Sequence, residues 1–324
     1  MLIERLADRL PYRLQSRIVQ RRHDIACRPV LDTAPIRPAD DGLVIFSMMG
    51  TAVLLPYLVA IKSLWSQLRR GRVMILSDGT LTTADRATLA HHCGQPEIID
   101  IADVDTTGFP TGGTWERLLT IIDRRAGAYL IQLDSDTVTL GYPQAVADAI
   151  DANRSFTLLG GPQWDIGAQT LMRFVPPADI SKAAENHIQT RMERMLAQVG
   201  NAERLRYIRG CSGFTGFART GGAAGMNGGG SDGSGRALAA HFATEMKRLL
   251  GHHAMHEWGT EQVTSSFLIA NDPDPLLLPY AHFGNFWGMP WDADCRFMHF
   301  VGAHRHDGTA YRDATCAALA RMDR

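Results

Sequence analysis

The alternation of short apolar runs with helical patterns between residues 43 and 133 most constrains how this chain can fold. The apolar runs lie at 43–47, 72–78, 97–101 and 129–133. Each is separated from the next by a segment with the length and spacing of a helix. Strands that alternate with helices in this way indicate a largely parallel sheet flanked by helices. We therefore predict an α/β fold.

Polar residues stand where several of these predicted strands end. Ser47 and Asp78 follow two of them, and Asp134 and Asp136 follow the run Tyr129–Leu133. In open parallel sheets, ligands bind beyond the carboxyl ends of the strands. The sequence therefore predicts a binding site at that edge of the sheet.

The pair Asp134 and Asp136 needs a physical explanation. Residues i and i+2 of an extended chain face the same side, roughly 6.6 Å apart, so two ionised carboxylates there repel each other. A shared proton or a bound cation makes the pair tolerable, and oxygen ligands favour Mg²⁺ or Mn²⁺. Such an ion keeps positions open for substrate phosphates. The pair therefore predicts a metal-bridged diphosphate site, whereas two solvated aspartates in a turn are the alternative for an isolated Asp-x-Asp.

Three further features favour the metal-site interpretation. Arg117 lies one predicted helix upstream and can reach the same edge of the sheet. Glu261 and Gln262 open a predicted helix, and His299 precedes Gly302 and a basic cluster. A lone histidine is more often a core residue, so His299 supports the metal site only in combination with the other motifs.

Taken together, these motifs resemble the nucleotide-sugar glycosyltransferases of the GT-A fold, and among them the retaining transferases of glycosyltransferase family eight. The resemblance covers roughly residues 43 to 306, as separate motifs. The matching residues, in chain order, are Ser47, Arg117, Asp134-Ser135-Asp136, Cys211-Ser212-Gly213, Glu261-Gln262 and His299 to Gly302. It implies a mixed, mostly parallel sheet flanked by helices. It also implies metal-dependent transfer of a sugar from a nucleoside diphosphate sugar, expected to be a UDP-sugar, to an acceptor hydroxyl on a carbohydrate, lipid or other molecule.

The resemblance implies a role for each matching residue. The ligands of Mn²⁺ or Mg²⁺ would be Asp134, Asp136 and His299. The nucleotide sugar would contact Arg117, Asp134, Ser135 and Arg305, with base and sugar selection by the loops at Ser47, Met48 and Asp78. Glu261 and Gln262 would lie near the reacting carbon of the sugar.

The stereochemical outcome stays open at this stage. The family pattern has Asp where this chain has Glu261, and Pro-Trp where it has His306-Asp307. An inverting enzyme needs a carboxylate base, for which Glu257 or Glu261 are candidates. A retaining enzyme can let the leaving phosphate take the acceptor proton, with Gln262 or a carboxylate supporting the developing cation. The resemblance favours retention.

We predict three regions along the chain. Residues 1–40 form a basic helical extension and linker, 41–310 the catalytic domain, and 311–324 a C-terminal helix. The catalytic domain divides into a nucleotide-binding half at about 41–140 and an acceptor half at about 141–310. The arginine-rich start either packs on its own domain or contacts a membrane surface. Five scattered cysteines favour reduced thiols and a cytoplasmic protein. If the arginine-rich start contacts a membrane, we expect the protein at its inner face.

Other function classes fit less well. With 33 Lys and Arg against 34 Asp and Glu, the chain lacks the basic excess of a nucleic-acid-binding protein. A nucleotidyltransferase would need a basic, glycine-rich loop after the first strand, and 48–53 has no Lys or Arg. A catalytically inactive binder of nucleotide sugars remains an alternative, and the oligomeric state is open. We also predict an exposed helix across 180–199 and a mobile, glycine-rich loop across 221–236.

Overall fold

The structure is a computed structural model that describes residues 12–176, 185–221 and 234–322. Its helices are α1 (Tyr12–Cys27), α2 (Leu54–Leu68), α3 (Thr83–His92), α4 (Trp115–Arg124), α5 (Gln144–Asp151), α6 (Ile188–Glu193), α7 (Ser234–Leu250), α8 (Thr260–Asn271) and α9 (Ala310–Leu319). Its strands are β1 (Leu43–Met49), β2 (Arg72–Ser77), β3 (Glu97–Asp100), β4 (Tyr129–Leu133), β5 (Thr137–Thr139), β6 (Phe156–Leu159), β7 (Gln169–Thr170), β8 (Arg206–Tyr207), β9 (Gly210–Phe217), β10 (Leu276–Leu277), β11 (Phe283–Asn285) and β12 (Phe297–His299).

A seven-stranded sheet in the order β10-β6-β9-β4-β1-β2-β3 forms the centre of the fold. Neighbouring strands run parallel, except that β9 is antiparallel to both β4 and β6. The carboxyl ends of β1, β2 and β4 therefore meet at one edge, and the start of β9 lies at that same edge. The predicted mixed, mostly parallel α/β sheet is confirmed.

Two apolar layers cover the sheet because successive strand residues point to opposite faces. In β1, Ile45 packs into the layer that contains α2 and α5, whereas Val44 and Phe46 pack into the layer that contains α4, α7 and α8. The segment Thr51–Leu68 is long and apolar enough to cross a membrane by length and composition alone. In this fold its helix α2 is a core helix that packs between the sheet and the helices α1 and α9, which accounts for its composition.

A second, three-stranded sheet brings a distant part of the chain to the functional edge. Its order is β11-β12-β5, with β12 antiparallel to β5 and His299 paired with Thr137. The amide of Phe300 donates to the carbonyl of Asp136 at 2.8 Å. This pairing places the end of β12 directly beside the Asp134–Asp136 turn.

Within the described residues, the helix predicted at 180–199 is shorter than expected and its polar residues are buried. Helix α6 spans only Ile188–Glu193, and its polar residues Gln189 and Glu193 are buried. They satisfy each other by a hydrogen bond of 3.0 Å, and Arg209 contacts Glu193 as well. A buried polar network has the same composition as a solvated helix face, which explains the error. The predicted loop at 221–236 lies largely outside the described residues.

The N-terminal extension packs against the rest of the chain where it is described. Helix α1 contacts α9 and α2, and its His23 and Cys27 are buried. Cys27 and Val30 join the same apolar layer as α2. The five cysteines are all unpaired, and Cys316 alone among them is exposed.

Candidate functional site

A cavity of about 650 Å³ opens at the carboxyl edge of the sheet. Most of the residues predicted to act on a metal or a sugar line it. These are Arg117, Asp134, Asp136, Glu261, Gln262, His299 and Arg305. The fold therefore collects side chains that are separated by up to 188 positions in the sequence into one open chamber.

Asp134, Asp136 and His299 form a cluster with one ligand atom each, all within 4.8 Å of one another. Nε2 of His299 lies 3.3 Å from Oδ1 of Asp136. Nδ1 of His299 faces Oδ1 of Asn285 at 2.9 Å, and Asn285 donates its own amide to the Leu159 carbonyl at 2.7 Å. That second bond turns the Asn285 oxygen toward the imidazole, so Nδ1 carries the hydrogen. Nε2 is then the nitrogen left to bind a metal.

The cluster fits a divalent cation. An octahedral ion with ligands at about 2.1 Å separates neighbouring ligand atoms by about 3 Å and opposite ones by about 4.2 Å. Ligand atoms within 4.8 Å of one another can therefore close around one ion with small side-chain movements. Carboxylate oxygens suit Mg²⁺ and Mn²⁺, and an imidazole nitrogen shifts the preference toward a transition metal. The donor set therefore fits a divalent cation that accepts both oxygen and nitrogen ligands.

The two aspartates have different electrostatic surroundings. Burial acts to raise the pKa of Asp136, but His299 and Arg305 outweigh it and lower that pKa. Arg305 contacts Oδ2 of Asp136 directly. Burial raises the pKa of Asp134, with Arg117 acting against the rise. The Asp134 side chain is 29% exposed, against 9% for Asp136, so solvent reduces that effect.

His299 shares the charge of this cluster. Burial acts to lower its pKa, but the neighbouring Asp136 and Cys211 raise it well above the usual range. The thiol of Cys211 lies 3.4 Å from Nδ1. The imidazole of His299 and the guanidinium of Arg305 therefore both lie against the Asp136 carboxylate, whose negative charge a bound cation would also neutralise.

Backbone contacts hold the Asp134–Asp136 turn in place. The amide of Asp134 donates to the Gly213 carbonyl at 2.9 Å, and the hydroxyl of Tyr311 donates to the Ser135 carbonyl at 3.3 Å. Just before the turn, Ser47 donates its hydroxyl to the Leu133 carbonyl at 2.7 Å. Three separate elements thus fix the main chain that presents the two carboxylates.

Arg117 links the Asp134–Asp136–His299 cluster to Glu261. It donates to Asp134 at 2.6 Å, to Glu261 at 2.8 Å and to the Ser212 hydroxyl at 3.2 Å. Thr114 also donates to the same Glu261 oxygen, Oε2, at 3.0 Å. Burial raises the pKa of Glu261, and Arg117 acts against that rise. Within the described part of the chain, the other oxygen, Oε1, is buried without a hydrogen-bond partner.

Five residues predicted to act at the site are not among the described residues that line the cavity: Ser47, Met48, Asp78, Ser135 and Glu257. Ser47 is buried under the turn. Asp78 accepts hydrogen bonds from Thr80, and Glu257 forms a surface ion pair with Arg191 at 2.7 Å. The predicted roles of these five residues in binding and catalysis stay predictions. In the structure, the Ser47 hydroxyl donates to the Leu133 carbonyl.

Sequence reasoning missed several residues of the site. Asn285 sits in a three-residue strand, and Gln189 sits in a helix that was predicted to be exposed. Trp258 lines the cavity, is 70% exposed and packs edge-on against the His187 ring, with 5.9 Å between the ring centroids. No local pattern marks Asn285 or Gln189, because each acts through a partner that is far away in sequence.

No protein-family model matches the chain, and no curated protein matches it in sequence. Solved structures do. An active-site mutant of LgtC matches with a TM-score of 0.51 and 13% identity, covering 86% of this chain and 95% of that one. The apo bifunctional glycosyltransferase WbbM matches with a TM-score of 0.48 and 13% identity, covering 89% of this chain but 51% of that one. Apo mouse xyloside xylosyltransferase 1 matches with a TM-score of 0.46 and 10% identity, covering 81% and 98%. This chain thus spans about half the length of WbbM, and its likeness to LgtC shows a shared fold, the predicted GT-A fold.

Proposed function

We propose that this protein is a metal-dependent glycosyltransferase that moves a sugar from a nucleoside diphosphate sugar to an acceptor hydroxyl. The observation that carries the proposal is the Asp134–Asp136–His299 cluster inside a cavity at the carboxyl edge of the sheet. Ligand sites are typically concave and contain a few convergent polar groups, as this cavity does. The family resemblance of the motifs favours UDP as the nucleotide.

The leaving group of this reaction is a nucleoside diphosphate, and it gains negative charge as the bond to the sugar breaks. A cation held by Asp134, Asp136 and His299 would neutralise part of that charge. Arg305 stands beside Asp136 and supplies a second positive charge from the chain itself. Its planar guanidinium is suited to two phosphate oxygens at once. Removing such an electrostatic contact typically costs about 2.7–4 kcal/mol of activation free energy.

The part of the cavity beside Glu261 and Gln262 would hold the transferred sugar. Glu261 is anchored there by Arg117 and Thr114, with Oε1 left to accept a hydrogen bond from a sugar hydroxyl. The side chain of Gln262 also lines the cavity. Acceptor oxygens beside the reacting carbon would stabilise the positive charge that develops there.

The contacts of the candidate bases support retention. Glu261 is occupied by Arg117 inside the site, and Glu257 by Arg191 outside it. Glu261 is therefore held in an ion pair where a base would have to act, and Glu257 is not among the described residues that line the cavity. We therefore propose that the leaving phosphate accepts the acceptor proton, and that Gln262 faces the developing cation.

A panel of UDP-, GDP- and CMP-sugars with and without Mn²⁺ tests the proposal by thermal shift. A ligand that binds only the folded state raises the unfolding midpoint. We expect a shift with one nucleotide class, dependent on Mn²⁺ and absent in Asp136→Asn, which should stay folded. The matched control is Asp148→Asn, an exposed aspartate in α5. No shift from any nucleotide sugar would refute the proposal.

An assay of turnover distinguishes an active glycosyltransferase from a catalytically inactive binder of nucleotide sugars. Release of the nucleoside diphosphate from the stabilising nucleotide sugar should require Mn²⁺ and should disappear in Asp136→Asn. If the nucleotide sugar shifts the midpoint but is never consumed, in the presence of a broad set of acceptors, the inactive binder is the correct description.

A further inference from the structure

A chain of hydrogen bonds runs from Arg117 through the cavity wall to a buried carboxylate on α6. Arg117 donates to the Ser212 hydroxyl at 3.2 Å, and that hydroxyl lies 3.5 Å from Oε1 of Gln262. Nε2 of Gln262 donates to Oε1 of Gln189 at 3.1 Å, and Nε2 of Gln189 donates to Oε1 of Glu193 at 3.0 Å. We call this chain the amide relay.

The two ends of the amide relay determine its direction. Arg117 can only donate hydrogen bonds, and an ionised Glu193 can only accept them. The NH₂ group of Gln189 must therefore face Glu193, which turns the Gln189 oxygen toward Gln262. Gln262 must then present its own NH₂ group to Gln189, and its oxygen faces Ser212 and the cavity.

Three donors hold the carboxylate at the acceptor end in place. Glu193 is buried, Arg209 contacts its Oε2, and the hydroxyl of Tyr207 donates to Oε1 at 2.9 Å. Arg209 itself lies over the ring of Trp164 at 4.8 Å. Burial raises the pKa of Glu193, and Arg209 acts against that rise. With these donors around it, the Glu193 carboxylate serves as a fixed hydrogen-bond acceptor at the C-terminal end of α6.

We propose that Gln189 and Glu193 are positioning residues that hold the amide of Gln262 with its oxygen facing the transferred sugar. This inference rests on the proposed glycosyltransferase function. Positive charge develops on the reacting carbon of the sugar, so an amide oxygen stabilises it and an NH₂ group opposes it. Glu193, which is not among the described residues that line the cavity, thus determines through Gln189 the sign of the dipole that the sugar meets.

The isosteric variant Glu193→Gln reverses the relay. Arg209 holds the oxygen of the new amide, so its NH₂ group donates to Gln189. Gln189 then turns over and donates to Gln262, whose NH₂ group faces the cavity. We expect kcat to fall at least tenfold, with KM for the nucleotide sugar within about twofold of the wild-type value.

Gln189→Met gives a different and smaller effect. Methionine neither donates nor accepts appreciably, so Gln262 samples both orientations and kcat falls only about twofold. The double variant Glu193→Gln/Gln189→Met should match Gln189→Met and turn over faster than Glu193→Gln alone, because the reversal can no longer be transmitted. Gln198→Met, an exposed glutamine, is the matched control and should behave like wild type.

The order of these rates distinguishes positioning from general destabilisation. If Glu193→Gln keeps the wild-type kcat, or if the double variant is slower than both single variants, the inference is wrong. Thermal unfolding of each variant shows whether it is folded at the assay temperature.

Hydrogen exchange at the Gln262 side chain tests the relay without an activity assay. This test does not use Glu193→Gln, so it still applies if that variant does not fold. The Gln262 NH₂ signals are identified by NMR from their loss in Gln262→Met. We expect slow exchange in the wild-type protein and fast exchange in Gln189→Met. Fast exchange in both would overturn the relay, whereas slow exchange in a protein that transfers no sugar would leave the relay intact and overturn only the proposed function.

Discussion

Replacing Gly213 by alanine should displace His299 from the metal cluster. Gly213 lies in β9 with no side chain between its backbone and the imidazole. A Cβ atom added there would lie 2.4 Å from Cε1, 2.6 Å from Nδ1 and 2.7 Å from Nε2 of His299. Ordinary contacts begin at about 3.4 Å, so the ring must move away by about 1 Å.

A movement of this size is large for a metal ligand. The ring is held by a 2.9 Å bond to Asn285, and Nε2 lies 3.3 Å from Asp136. Ligand distances in metal sites are kept within about 0.2 Å, so a displacement of about 1 Å removes His299 from the ligand set. We expect the Kd for Mn²⁺ to rise at least tenfold. A misplacement of about 1 Å can also lower the rate about 10²-fold, which we expect for kcat/KM.

Isothermal titration with Mn²⁺, in the absence of nucleotide sugar, measures the first effect directly. The matched control is Gly127→Ala, because a Cβ at Gly127 meets nothing within 4 Å. Both glycines have backbone angles that alanine also adopts, so only the contact with the ring differs. Wild-type affinity for Mn²⁺ in a folded Gly213→Ala protein would show that His299 is not a ligand of the metal.

Three further variants test separate parts of the site and the fold. Asn285→Leu removes the acceptor that orients His299, so the Kd for Mn²⁺ should rise about 10- to 100-fold, and an unchanged titration would contradict this role. Arg305→Gln removes the cation beside Asp136, so kcat should fall about 10²-fold while Arg305→Lys retains more activity, and equal rates for the two variants would argue against a charge effect. Burial, His306 and Arg305 lower the pKa of His23 to about 4. The unfolded chain binds the extra proton between about pH 6.5 and 4, so His23 loses up to about 3 kcal/mol of its stabilising contribution as pH falls through that window. His23→Gln should flatten this part of the stability profile measured by urea unfolding, and an unaltered slope would exclude His23 as its cause.

The fold class could be predicted because its signals are local. Strands β1, β2 and β4 are largely apolar runs, since both faces of the central sheet are covered by helices. The acidic pair Asp134 and Asp136 was also readable, because two adjacent charges after a buried strand are costly without a partner. Motif resemblance then extended the prediction to Arg117 and His299, both of which the structure brings into the cavity.

The helix that carries Gln189 shows where such reasoning failed. Its polar residues were interpreted as a solvated face, and the structure buries them against Arg209 and Tyr207. Burial of a polar side chain depends on partners that a local pattern does not contain. Glu257 is the converse case: it was a candidate base by sequence position, and its side chain forms an ion pair with Arg191 on the surface.

The sequence by itself determined the alternating strands and helices, the edge of the sheet where a site belongs, and the acidic pair at its centre. Only the tertiary structure decided which nitrogen of His299 faces that pair, that Asn285 sets it, and that a carboxylate on α6 orients Gln262. The physical reason for this difference is that apolar periodicity depends only on residues that are close together in the sequence. The direction of a hydrogen bond, in contrast, depends on two groups that meet only after the chain has folded.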